Sequence, residues 1–135
     1  AQTGGKIQHL AAGVGDDYKA LLLSRLRSVQ DRPIPLMQSA FAVGQPGDED
    51  SWGAFVGFPG EMFTEIGMEI KERSPFKNTF MVGLANGQIG YLPPRKAIAE
   101  GGYAVSTRET GDEAAEMVVD HTLSLLGDLY KRATR

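Results

Sequence analysis

The sequence predicts an α/β fold, with α+β as the alternative. The expected architecture is a small mixed sheet with a strand–helix–strand crossover at 53–85, flanked by helices near 16–31 and 112–132. Three observations carry this. Two short apolar runs, Ala54 to Phe58 and Thr79 to Ala85, each break into turn chemistry, at Pro59-Gly60 and at Asn86-Gly87. Between them Phe63, Ile66 and Ile70 recur at helical spacing, with Glu65, Glu69, Glu72 and Arg73 facing the other way, until Ser74-Pro75 stops the pattern. Strand, helix and strand joined by short loops normally form a right-handed crossover between parallel strands. The loop after each strand then lands on the same edge of the sheet.

Taken in order, residues 1–15 are glycine-rich and aperiodic and read as an irregular entry segment. A helix is expected from Asp16 or Asp17, whose carboxylates suit an N-cap and first turn, with Tyr18, Leu22, Leu26 and Val29 on one face and Arg25, Arg27 and Arg32 towards its end. Pro33 and Pro35 end it and open an extended segment at 36–43. Residues 44–51, GQPGDEDS, read as a mobile hairpin tip, so that 36–43 and 53–58 pair antiparallel and the sheet is mixed. Beyond Tyr91, Pro93-Pro94 stiffens the chain and Arg95 to Glu100 suits a short helix ended by Gly101-Gly102. Tyr103 to Ser106 is expected as one more short strand. Thr110 with Glu113 has the spacing of a capping box for the last helix, whose inner face carries Ala115, Val118, Leu125, Leu126 and Leu129.

Composition narrows the chemistry. The length of 135 residues suits one domain with a core of its own. A net charge of -3 with acids and bases interspersed argues against nucleic acid and anionic membranes as partners. No apolar run approaches the roughly 20 residues of a membrane span, so no transmembrane segment is expected. The absence of cysteine removes disulfides, thiolate catalysis and Cys-based metal sites. Only two histidines remain, His9 and His121, and neither lies in a metal motif; they read as a surface and a helix-face residue. The acidic run Asp48-Glu49-Asp50 lacks the spaced oxygen ligands of a calcium loop. The chain opens at Ala1, so it is expected to be either a single α/β domain or a fragment of something longer.

The candidate site follows from the crossover. Glu61 is expected in the first turn of its helix and Tyr91 in the second loop, both at the carboxyl edge where open α/β sheets bind ligands. The plainer alternative is that Glu61 only complements the helix dipole and Tyr91 is a half-buried loop aromatic. Residues 52–105 resemble the carboxyl-terminal part of the catalytic domain of the neutral/alkaline (non-lysosomal) ceramidase family. The resemblance is carried by Pro59-Gly60-Glu61, Thr64 and Gly67 on the following helix, Gly83-Leu84-Ala85-Asn86, and Tyr91 five positions after the asparagine. Gln88, Pro93-Pro94 and Glu100-Gly101-Gly102 depart from the family pattern and mark a divergent bacterial-type branch.

The resemblance implies a hydrolase of N-acyl amide bonds in sphingolipid metabolism. Its zinc ion would be held by two histidines, Glu61 and Tyr91, and a serine would act in the cleavage. Gly60, Asn86 and Thr64 would support the ligand loops. The histidines and serine would come from an amino-terminal portion of the same protein or from a partner chain, so zinc is expected only with that portion and this chain alone is expected to be inactive. An N-acyl lipid substrate and a secreted or periplasmic location are also implied. The alternative function is a non-catalytic α/β binding or assembly module that kept the scaffold.

Overall fold

The computed structural model describes residues 33–135 and, before them, Ala20, Leu21, Leu23, Ser24 and Arg27, which are helical. The rest of the helix expected near 16–31, and the entry segment with His9, lie outside the described residues. The chain divides into two compact units, Ala1–Ile34 and Pro35–Arg135, and the candidate site belongs to the second.

The fold of the second unit is α/β, built on a small mixed sheet as expected. Strand β1 (Ser39–Gln45) forms an antiparallel hairpin with β2 (Asp48–Gly57), and β2 pairs in parallel with β4 (Asn78–Val82), giving the order β1-β2-β4. Helix α1 (Thr64–Arg73) carries the crossover from β2 to β4. A short strand, β3 (Glu61–Met62), precedes that helix and pairs in parallel with β5 (Tyr91–Leu92) in a second, two-stranded sheet. Helices α2 (Arg95–Glu100), α3 (Tyr103–Ser106) and α4 (Ala114–Ala133) follow.

One face of the three-stranded sheet is covered. Ala54 and Val56 of β2 point into a core shared with Ile66 and Ile70 of α1 and with Ala115, Val118, Val119 and Leu126 of α4. Phe58, Phe76 and Leu92 close its ends, and Ala40, Ala42 and Met81 from the neighbouring strands line it. Thr122 is fully buried within this face of α4, where its hydroxyl accepts a 2.8 Å hydrogen bond from the Gln38 side-chain amide. That bond ties the last helix to the approach to β1.

Several expectations are corrected. The hairpin turn is only Pro46-Gly47, with Gly47 at φ 86°, and the acidic run lies in β2 instead of forming a mobile tip. The turn is held short because the Ser51 hydroxyl accepts from the Gln45 amide and donates to the Asp48 carbonyl, both at 2.7 Å. The second apolar run stops pairing at Val82, not Ala85, because Leu84 and Asn86 take positive φ and turn the chain out of the ladder. Tyr103–Ser106 is a helical turn, not a strand. The hydroxyls of Ser106 and Thr107 both donate to the Tyr103 carbonyl, which closes the backbone locally. Helix α4 starts at Ala114 with Glu113 as its N-cap and no side-chain cap bond. The expected capping box is absent because the Thr110 hydroxyl points back to the Tyr91 carbonyl, at 3.5 Å.

Because Leu126 is fully buried where α4 meets the sheet, Leu126→Ala should cost about 2–5 kcal/mol of unfolding free energy in denaturant titration, whereas Met117→Ala, on the exposed face of the same helix, should cost under about 1 kcal/mol.

Candidate functional site

Four backbone hydrogen bonds lock the loop after β4 around the loop after β2. The Leu84 amide donates to the Gly60 carbonyl at 3.1 Å, Ala85 to Phe58 at 2.9 Å, and Ile89 to Pro59 at 2.6 Å, while Phe58 donates to Val82 at 2.9 Å. Ile89 and Pro59 are both buried in this knot. The second loop is thereby returned alongside Gly60, and the short ladder begins there: the Glu61 amide donates to the Gly90 carbonyl at 3.0 Å and the Phe63 amide to that of Leu92 at 3.1 Å.

In that register Glu61 stands directly opposite Tyr91 and Met62 opposite Leu92. Paired residues of neighbouring parallel strands lie about 5 Å apart with side chains on the same face. The structure therefore brings Glu61 and Tyr91 together, and both are half-buried. It places Glu61 in a strand and not in the first turn of α1, whose N-cap is Phe63 and whose first-turn acid is Glu65. Glu61 therefore lies two residues before the N-cap, outside the first turn of the helix. Its amide and that of Phe63 serve the ladder, which holds the carboxylate beside a phenol instead of over a helix end.

The phenol responds to this placement. The negative charge of Glu61 raises the Tyr91 pKa above its ordinary value, with smaller contributions from burial, from Tyr103 and from a hydrogen bond to the Glu61 carboxylate.

The supporting residues divide. Gly60 is required at its position, because a Cβ there would sit 2.7 Å from the Gly90 carbonyl oxygen and 2.9 Å from the Phe58 ring. Asn86 braces its loop against the sheet instead of the ladder, donating from Nδ2 to the Ser39 hydroxyl at 2.8 Å. Thr64 opens α1 as an exposed residue whose side chain makes no hydrogen bond among the described residues.

Tyr103 is a neighbour that sequence reasoning missed. Its ring meets that of Tyr91 edge-on, with centroids 5.9 Å apart and planes at 76°. The pair Gly101-Gly102, both at positive φ, folds α3 back towards β5 and was the available signal. His121 lies exposed on α4.

Glu61 and Tyr91 place a carboxylate and a phenol side by side, two oxygen donors where a catalytic zinc site takes three protein ligands. No group of three or more His, Cys, Asp or Glu residues able to hold a metal occurs among the described residues. A groove of about 240 Å³ runs elsewhere, between α1 and the start of α4, lined by Ile66, Arg73, Arg95, Glu116 and Val119 among others. Its arginines are paired, Arg73 with Glu69 at 2.6 Å and Arg95 with Glu116 at 3.0 Å, so both cations of the seam are already held by carboxylates. No described helix is long and apolar enough to cross a membrane. No family model matches the chain, and no curated protein or solved structure is significantly similar to it.

Glu61→Gln should lower the Tyr91 titration midpoint towards the ordinary tyrosine value of about 10, read as phenolate absorbance against a Tyr91→Phe background. Gly60→Ala should destabilise the fold by about 1–3 kcal/mol through the clash with the Gly90 carbonyl, measured by chemical denaturation.

Proposed function

We propose that this chain is the carboxyl-terminal portion of a ceramidase-like, zinc-dependent amidohydrolase. It contributes Glu61 and Tyr91 as metal ligands and is inactive by itself. The supporting observation is the direct cross-strand pairing of Glu61 with Tyr91 in the β3–β5 ladder, at the positions where the family's glutamate and tyrosine ligands fall. An amino-terminal portion of the same protein, or a partner chain, supplies two histidines and the serine.

When bound, zinc would polarise the scissile N-acyl amide carbonyl as a Lewis acid. The residues of this chain have narrower tasks. Glu61 would bring negative charge to the ion, and Tyr91 would ligate it as the phenolate, a form that the neighbouring Glu61 charge disfavours. Gly60 lets the two strands approach closely, since a Cβ there would meet the Gly90 carbonyl oxygen. Tyr103, exposed and edge-on to Tyr91, adds an apolar surface beside the pair.

A second reading, a binding or assembly module without chemistry, is favoured by the exposed Phe41, Val43 and Phe80 side chains of the three-stranded sheet. The two readings separate in a zinc titration. On the hydrolase reading, zinc binds and N-acyl amide hydrolysis appears only with the amino-terminal portion present, and there Glu61→Ala and Tyr91→Phe each weaken zinc binding by at least about 10-fold. Unchanged zinc affinity in Glu61→Ala would reject the hydrolase reading in favour of the module. Because one phenol proton must leave, affinity should also rise with pH, by up to about tenfold per pH unit in the wild type and less steeply in Tyr91→Phe.

A further inference from the structure

The chain holds two asparagines, Asn78 and Asn86, and the fold gives them opposite surroundings. Asn78 opens β4 in register with Gly53 of β2, and the residue after it, Thr79, is buried in the sheet. Asn86 lies past the end of that strand and is followed by Gly87, and both are exposed. Their φ angles of 67° and 143° keep the stretch out of any ladder. On either side the backbone is tied, by the Ala85 amide to the Phe58 carbonyl at 2.9 Å and by the Ile89 amide to that of Pro59 at 2.6 Å. Between these ties the amides of Asn86, Gly87 and Gln88 make no backbone hydrogen bond among the described residues.

An asparagine followed by glycine can react with its own main chain. The Gly87 nitrogen attacks Cγ of Asn86, the new N–C bond closes a succinimide ring, and the side-chain nitrogen leaves as ammonia with the proton of the Gly87 amide. Water then opens the ring. Opening at the side-chain carbonyl leaves aspartate, whereas opening at the main-chain carbonyl leaves isoaspartate, whose backbone runs through the β-carbon. Water is the only co-reactant.

Two requirements decide whether this step is open in the fold. The attacking nitrogen must be uncrowded, and Asn86 must turn about ψ until that nitrogen faces Cγ. Gly87 carries no side chain to shield its nitrogen and tolerates either sign of φ. Space around it is open, since even an added Cβ would meet only Pro59, at 3.5 Å. Turning about ψ costs no backbone hydrogen bond of residues 86–88. What it must break is the 2.8 Å bond from Asn86 Nδ2 to the exposed Ser39 hydroxyl. At Asn78 the same turn would tear the β2–β4 ladder, and the β-branched Thr79 crowds the nitrogen.

We infer that Asn86 is a site of spontaneous deamidation and isomerisation, restrained by its bond to Ser39. The inference does not rest on the hydrolase reading. Its consequence reaches the Glu61–Tyr91 pair through the loop. Because residues 85–89 are tied at both ends to Phe58 and Pro59, an extra backbone carbon at position 86 has to be absorbed inside the knot that returns the chain alongside Gly60.

The test ages the full chain in warm, mildly alkaline buffer and follows both asparagines by mass spectrometry of the tryptic peptide 78–95, which contains them both, against a sample digested at once. Asn86 should convert to acid at least about 10-fold faster than Asn78, at a rate that rises with pH, with isoaspartate identified from its fragment ions. Ser39→Ala, checked for folding by circular dichroism, should convert faster still. Conversion at Asn86 no faster than at Asn78, or a rate that Ser39→Ala leaves unchanged, overturns the inference. Should that variant fail to fold, the wild type in denaturant decides: the gap between the two asparagines should narrow once the ladder no longer protects Asn78, and a gap equal in both states overturns the structural account. In the isoaspartyl fraction, separated by chromatography, the Glu61 and Phe63 amides should exchange with solvent faster than in the unaged chain, and unchanged exchange overturns the link to the ladder.

Discussion

The hydrogen bond from the Glu61 amide to the Gly90 carbonyl, 3.0 Å long, is the constraint on which the rest of the site depends. It sets the register of a ladder only two residues long in each strand, and a slip of one residue would send Tyr91 to the opposite face from Glu61. So short a ladder has little cohesion of its own. Its register is imposed from outside, by the knot of Phe58, Pro59 and Gly60 with residues 82–90, whose bonds are anchored to the buried end of β2.

The same constraint links the sheet to the chemistry. β2 and β4 must be parallel neighbours for their following loops to meet, and α1 must pack on the sheet for the crossover to close. Ile66 and Ile70 serve that packing, while Gly60 serves the close approach at the edge. A carboxylate and a phenol brought together in this way are also mutually restrained. The carboxylate's charge raises the pKa of the phenol and so favours its protonated form.

The elements whose side chains face two different environments were legible in the sequence. The Phe63, Ile66 and Ile70 spacing of α1, the hairpin, the parallel crossover and the last helix all follow from apolar periodicity, because burial on one face leaves a regular imprint. What escaped was set by hydrogen bonds that leave no such imprint. The β3–β5 ladder is too short to alternate, so Glu61 read as a helical residue when it is a strand residue. Thr110 had the spacing of a cap, yet its hydroxyl turns to the Tyr91 carbonyl. The Tyr103 segment has strand composition, but the serine and threonine that follow it bond back to its own carbonyl. In the site itself, the meeting of Glu61 and Tyr91 was foreseeable from topology, whereas the edge-on contact of Tyr103 depended on two glycines at positive φ.

The register of the short ladder is the claim from which the paired oxygens, the raised phenol pKa and the need for Gly60 all descend. Scalar couplings transmitted through hydrogen bonds, recorded by NMR on the isotope-labelled chain, observe it directly. Correlations from the Glu61 amide nitrogen to the Gly90 carbonyl carbon and from that of Phe63 to Leu92 are the predicted result. Their absence, or correlations shifted by one residue, would contradict the pairing of Glu61 with Tyr91 and every chemical role derived from it.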